Sequence, residues 1–238
     1  MLHRAATLLL ASFALIACAS ATSTPPEPSR APISIASAPE ARFEALERRL
    51  LAARSVRLRA RLHAEGLVSA DLRATLLLSG ARMRFEVEGT LEGKAVKASL
   101  VSDGRTLHGD GAPQAIKGDT PPALAEGLMI GLTRMGLLHN AAQIAEGEAP
   151  EQTGGGVRDW VTVSAFQATA EGALSFSLGV KGGSLSEATL ALDPASGLPK
   201  SRWQTVHFKS GDMRVEEIYE AFTLDDARDG ELPAPGSP

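Results

Sequence analysis

Val56-Arg57-Leu58-Arg59-Ala60-Arg61-Leu62-His63 alternates apolar and basic side chains at every position. A period of two belongs to a strand with one dry face and one wet face. The pattern recurs after a turn at Glu65-Gly66. Ala70, Leu72, Ala74, Leu76 and Leu78 repeat the alternation, and Gly80 ends it. Met83, Phe85 and Val87 make a third strand with Gly89 and Gly93 as breakers. Val96, Ala98 and Leu100 make a fourth. Asp103-Gly104 is a two-residue hairpin signal, and Thr106 and Leu107 begin the return strand. Consecutive short strands joined by tight turns predict an antiparallel meander.

Upstream, the period lengthens. Phe43, Leu46 and Leu50 fall at i, i+3 and i+7 with Leu51 beside them, which predicts a helix over Ala41 to Arg54. Downstream, Pro121-Pro122 breaks the meander. Leu124, Leu128, Met129, Leu132, Met135 and Leu138 then space an apolar helical insert between Ala123 and Ile144. Thr120 suits its cap and Pro121 its first turn. Gly127, Gly131 and Gly136 each weaken a helix by about 1 kcal/mol relative to alanine, so the insert is predicted to be loose or interrupted. Glu146 to Gly156 reads as a loop. Strands resume at Val157 to Thr169, Leu174 to Val180, Ala188 to Leu192, Ser201 to Phe208 and Met213 to Phe222. A tight turn at Asp193 to Pro199 separates two of them. Residues 226–238 are acidic and Pro-rich and read as an extended tail.

The N-terminus has another plan. Arg4 precedes an apolar run from Ala5 to Ala17, too short for a bilayer span of about 20 residues. A charged start, an apolar middle and small residues at a cut make a signal peptide over residues 1–17. Leu15-Ile16-Ala17-Cys18 resembles the lipobox of bacterial lipoproteins, and Cys18 is the one cysteine in the chain. That resemblance implies cleavage before Cys18, acylation of its thiol with a chain such as palmitate, and a membrane anchor. Ala19, rather than Asp, implies the outer membrane. The rival is a soluble secretory protein cut near Ala17 to Ala21. Residues 18–40 are rich in Ser, Thr, Pro and Ala and read as a lipidated start and disordered tether.

Composition narrows the chemistry. With residues 1–17 removed, 221 remain, enough for one domain (residues 41–225) and tails. With one cysteine, no intramolecular disulfide forms. The formal charge of −4, or −5 without Arg4, argues against nucleic acid as a partner. Charge is unevenly spread. Arg42, Arg48, Arg49, Arg54, Arg57, Arg59 and Arg61 cluster early. Glu216, Glu217, Glu220, Asp225, Asp226, Asp229 and Glu231 cluster late. The arginine cluster is read as solvated faces of a helix and a strand rather than as a docking site for anionic lipid or an acidic partner, and Glu216 and Glu217 fall on opposite faces of one strand. The five histidines are scattered, and no His-Glu-x-x-His or Gly-x-Ser-x-Gly spacing occurs. Gly154-Gly155-Gly156 lacks the Lys-Ser/Thr of a phosphate loop. Nothing nominates a catalytic group, a metal site or a cofactor, so the chain is not expected to be an enzyme.

The order of helix, meandering strands, apolar insert and further strands resembles the LolA/LolB family of bacterial lipoprotein carriers. Leu100-Val101-Ser102-Asp103-Gly104-Arg105-Thr106-Leu107 looks like that family's strand–Asp-Gly–strand hairpin. The Asp193 to Pro199 turn looks like its late hairpin, and Phe222 to Pro233 is similar to its closing strand. Where carriers show Arg-Pro before a tryptophan strand, this chain has Gly80-Ala81-Arg82-Met83-Arg84-Phe85. The resemblance implies an α+β, mainly antiparallel fold. It is a curved open half-barrel sheet with helices plugging the concave face and a hollow for acyl chains. Inward Leu58, Leu62, Leu72, Leu76, Phe85 and Leu100 would line that hollow, with Leu128, Leu132 and Met135 as a lid. Trp160, Phe176 and Trp203 would be its aromatic exceptions. The function expected is an outer-membrane-anchored lipoprotein facing the periplasm and binding acyl chains. Its partners would be lipid, other lipoproteins or a periplasmic carrier. The alternative is an envelope sensor or protein-interaction module on the same fold.

Overall fold

A computed structural model of the chain describes residues 38–111, 116–137, 139, 140, 158, 161–180, 185–228 and 230–234. Cys18, the signal peptide, Trp160, Leu138, Ile144 and the triple glycine lie outside the described residues. So do Asp229 and the tether up to Ser37.

The described strands form one open antiparallel sheet of eleven. In chain order, helix α1 (Ala38–Ala52) is followed by β1 (Ser55–Gly66), β2 (Ala70–Ser79), β3 (Arg82–Leu91), β4 (Lys94–Asp103), β5 (Thr106–Asp110) and β6 (Ile116–Asp119). Helix α2 (Leu124–Arg134) comes next. Then β7 (Val161–Ala168), β8 (Leu174–Val180), β9 (Leu185–Leu192), β10 (Pro199–Phe208) and β11 (Gly211–Leu224) close the set. The spatial order is β6-β5-β4-β3-β2-β1-β11-β10-β9-β8-β7. Two meanders therefore meet at one seam between β1 and β11. Both helices plug the inner face, as the half-barrel architecture requires. The short strand β6 had no sequence signal, because four residues cannot show a period.

The alternation in β1 sorts its side chains as expected. Val56, Leu58, Ala60, Leu62 and Ala64 are buried, while Arg59, Arg61 and His63 are exposed. Gly89, inside β3, has φ +146°, and a Cβ there would stand 2.1 Å from the Asp71 carbonyl oxygen. Only glycine permits that close approach, and such kinks let a sheet bend. On the outer edge strand β7, a bulge between Ser164 and Gln167 places Ala165 at φ 55°. A bulge there discourages edge-to-edge pairing with another chain.

Helix α1 packs through Phe43, Leu46 and Leu50, all nearly free of solvent. Full burial of such a side chain contributes about 1.5–3 kcal/mol. Phe43 meets Phe166 and Phe176 at ring-centroid distances of 5.1 and 4.9 Å. Arg42 donates to the Gly172 carbonyl at 3.2 Å, and Arg49 to the Ser196 carbonyl, so the helix is tied to two loops. The insert is interrupted, as its glycines imply: α2 stops at Arg134 and Gly136 takes φ +87°. Thr120 does not cap it. The N-cap residue is Ala123, which makes no side-chain cap bond, while the Thr120 hydroxyl is within 2.7 Å of Ser102 Oγ.

The two opposite charge clusters meet across the seam. Arg57 pairs with Asp226 at 3.3 Å and Glu231 at 2.5 Å, and Arg61 pairs with Glu220 at 2.7 Å. The chain beyond β11 is thus strapped to β1. Asp225 Oδ1 accepts from the Arg54 amide at 2.7 Å, and Leu232 is buried. The tail is extended as expected, but through Leu232 it is docked rather than frayed.

The Thr223 hydroxyl, and after it Arg57, holds the Asp226 carboxyl below its ordinary range. The Arg228 amide, then Arg57, does the same for Glu231. A folded-state pKa below the unfolded one stabilises docking above the ordinary carboxylate range, and the gain is lost as pH falls through the depressed value. Acidification should therefore free the strap, and Arg57→Ala should free it at neutral pH. Leu232 methyl resonances should move to random-coil positions in both cases, ahead of the Leu58 methyls. Leu232 signals that stay put in Arg57→Ala would refute the strap.

Candidate functional site

The nine expected cavity residues all reach one place. Leu58, Leu62, Leu72, Leu76, Phe85 and Leu100 come from the inner faces of β1 to β4. Leu128, Leu132 and Met135 come from α2 and its cap. All nine are 7% exposed or less and belong to one continuous apolar cluster. Period two supplies the wall because β1 to β4 pair without a shift in register. Phe176 joins this cluster. Trp203 does not: it faces outward from β10 and is 43% exposed. Its neighbours Arg202 and Gln204 take the inward positions, so the aromatic residue falls on the wet parity of the strand.

Gly127 is buried, yet a Cβ built on it would meet no described atom within 4 Å. Gly131 and Gly136 differ. A Cβ at Gly131 would clash with Asn140, and one at Gly136 would lie 2.7 Å from Glu217 Oε1. These two glycines admit close packing, whereas a side chain at Gly127 would meet no described atom.

Two buried polar groups hold the insert in this position, and neither was anticipated. Arg134, at the end of α2, forks onto Glu47 of α1, with Nε–Oε1 at 2.7 Å and Nη2–Oε2 at 3.0 Å. Both side chains are almost wholly enclosed. The remaining guanidinium nitrogen donates to the Val161 carbonyl at 2.5 Å and the Arg158 carbonyl at 3.2 Å. Thr133 adds a hydroxyl bond to Glu47 at 3.2 Å. The second group spans β10 and β11, where Arg202 and Glu217 are register partners. Arg202 donates to the Arg134 carbonyl and to Gln204 Oε1 at 2.5 and 2.6 Å. Glu217 accepts the Leu137 amide at 2.9 Å and the Tyr219 hydroxyl at 2.6 Å. A cation thus meets the carbonyl end of α2 and an anion meets the amide that follows the break, each the favourable sign.

Burial sets the protonation of this region. It pushes the Arg202 guanidinium down, against the pull of Glu217, and the Tyr219 phenol well up. His139, just past the break, is driven down to about 4 by burial and then by Arg202. The imidazole is therefore neutral at pH 7. Glu216 and Glu217 do fall on opposite faces of β11. Glu216 stays on the outer face, but Glu217 is 1% exposed because adjacent strand residues point to opposite sides. His63 lies outside and bonds Asp71 at 2.6 Å. Among the described residues, no group of His, Cys, Asp and Glu could hold a metal.

No family model matches the sequence, and no curated protein matches it. Solved structures similar to it include LprF from Mycobacterium bovis. That likeness has 11% identity and a TM-score of 0.38, and covers 83% of this chain and 96% of LprF. MucB is similar at 16% identity and a TM-score of 0.35, covering 84% of this chain and 63% of MucB. MucB in complex with MucA(peri) is similar at 14% identity and a TM-score of 0.33, covering 82% and 58%.

Removing one partner of an enclosed ion pair strands the other, at a cost of about 3–5 kcal/mol. Glu47→Ala should lose stability on that scale in urea melts, because Arg134 would stay buried without its carboxylate. The double variant Glu47→Leu/Arg134→Met should recover most of it. A single variant as stable as wild type would show that the pair does not hold α1 to α2.

Proposed function

We propose that this chain is an envelope lipoprotein, tethered through an acylated Cys18, whose half-barrel binds the hydrocarbon chain of a lipid or lipoprotein without catalysis. The observation that carries this reading is the continuous inner wall of Leu, Phe and Met side chains, beside which a Cβ at buried Gly127 would meet no described atom. An acyl chain needs contiguous apolar surface and few polar anchors. Methionines at positions 83, 129 and 135 give that surface flexible, polarisable side chains that repack around a guest. The uncapped N-terminal end of α2 suits a lid, while its C-terminal end is pinned by Arg134 and Arg202.

The location belongs to the same proposal. The Ser-, Thr-, Pro- and Ala-rich sequence of residues 19–37 is long enough to serve as a tether, at a reach of about 3.5 Å per residue when extended. A multiply acylated cysteine stays on its membrane, whereas a single chain holds only marginally. Ala19 points to the outer membrane, with the domain in the periplasm and cargo arriving from another lipoprotein or a periplasmic carrier.

The two halves of the proposal are tested separately. Cells expressing wild type should incorporate a palmitate analogue into the protein, and Cys18→Ser should not. Equal labelling of both forms would remove the anchor. For cargo, the Cys18→Ala protein should bind a fluorescent fatty acid saturably and carry lipid detectable by mass spectrometry after purification. Gly127→Leu, placed where a side chain would meet no described atom, should weaken that binding at least tenfold and leave the melting temperature unchanged or higher. Absence of saturable binding by the Cys18→Ala protein would end the carrier reading.

A further inference from the structure

The outer face of the sheet holds a site that acyl-chain binding does not use. Trp203 stands mid-strand in β10, and its Nε1 donates to Glu216 Oε1 at 2.9 Å. That bond fixes the indole, so its exposed surface cannot fold away from water. Beside it runs a trough of about 450 Å³ lined by His63, Glu65, Glu187, Thr205 and Arg214 among others. The trough shares His63 and Glu216 with a second one of about 500 Å³, which continues over β1 to β3 past Arg61, Asp71, Arg73 and Glu88. Together they cross the sheet at right angles to its strands.

Charge selects the occupant. Around Trp203 lie three carboxylates, Glu65, Glu187 and Glu216, and one guanidinium, Arg214. Arg214 pairs with Glu65 at 3.5 Å, and His63 pairs with Asp71 at 2.6 Å. The Glu216 carboxylate is held against the indole, and Glu187 makes no ion pair or side-chain hydrogen bond with any described residue. Two negative charges therefore remain uncompensated beside an open aromatic face. An indole face attracts a cation, and arginine or lysine also brings an apolar stem to lie on the ring. Aromatic residues with charged neighbours are the side chains that anchor protein interfaces.

We infer that this trough docks a basic segment of another polypeptide. A lysine or arginine sits over Trp203, with its charge between Glu187 and Glu216. The rest of the segment runs toward the second trough, where Asp71 and Glu88 stand beside Arg61 and Arg73, so the surplus negative charge lies at Trp203. An acidic segment is repelled there, and a neutral glycan makes no use of the surplus charge.

The test uses the Cys18→Ala chain carrying Trp160→Phe, which leaves Trp203 as its one tryptophan. The probe is a labelled dodecapeptide of alternating lysine and serine, followed by anisotropy and by Trp203 fluorescence. A glutamate–serine peptide and a neutral chito-oligosaccharide are the competitors. The expected result is saturable binding of the lysine peptide that weakens with salt. Trp203→Ala and Glu187→Gln should each reduce it by about three- to tenfold. Fatty-acid binding should be unchanged in both variants, which shows that they are folded and separates this site from the inner one. Three results would overturn the inference: no saturable binding, undiminished binding in both variants, or displacement of the peptide by the oligosaccharide.

Discussion

The seam between β1 and β11 is the constraint on which the rest depends. Every other strand pairing joins neighbours in sequence and closes through a local turn. This one joins Val56 to Leu224 and Gly66 to Met213, across most of the domain. Closing so long a loop costs entropy that local hairpins avoid, though the cost grows only slowly with length. The seam offsets it in two ways. Its inner side buries Val56, Leu58, Ala60 and Leu62, and its outer side aligns Arg57 and Arg61 with carboxylates of the C-terminal part. Exposed pairs of this kind contribute little energy individually. Their value is register, because like charges facing each other across the seam would be destabilising.

Register matters because one residue of slip turns every side chain to the wrong face. The seam contains a shift between Arg59 and Ala60, where Ala221 and Tyr219 are the successive partners. Glu220 is the extra residue. In a regular strand Tyr219 and Phe222, three residues apart, would point to opposite faces. With the bulge, both turn inward, their rings 5.9 Å apart, and Glu220 turns out to meet Arg61. The bulge thus corrects the parity of the closing strand.

The same topology explains the insert. The chain leaves β6 at one free edge and must begin β7 at the other. Ten gaps of about 4.8 Å separate those edges along a flat sheet. The connecting segment has to cross a face, and only the inner face is apolar enough to receive α2. Curvature shortens the path. Once there, the helix is fixed by groups that accept one geometry: the fork of Arg134 on Glu47, and the Arg202–Glu217 pair bracketing the break at Gly136. Burying charges seldom adds stability over a well-packed apolar core. Here it gives the insert a defined seat that uniform leucine packing would leave sliding.

Strands, turns and the apolar wall were legible in the sequence because they rest on local periodicity. Asp103-Gly104 is an example: its turn is closed by Asp103 accepting the Arg105 and Thr106 amides at 2.7 and 2.8 Å. The buried charges were not legible. Glu47 sits among exposed arginines in a helix whose charged positions look uniform, and its partner lies 87 residues away. Arg202, Glu217 and Trp203 share this difficulty. Strand parity alone decides which of them is inside, and the apolar signal of β10 is too sparse to fix it. The alternation that builds the fold also makes the two faces chemically independent. The side chains of the inner leucine wall and those around Trp203 have opposite strand parity, so a substitution on one face leaves the other face's side chains in place. What links them is the backbone of β10 and β11, where Arg202 and Glu217 look in while Trp203 and Glu216 look out.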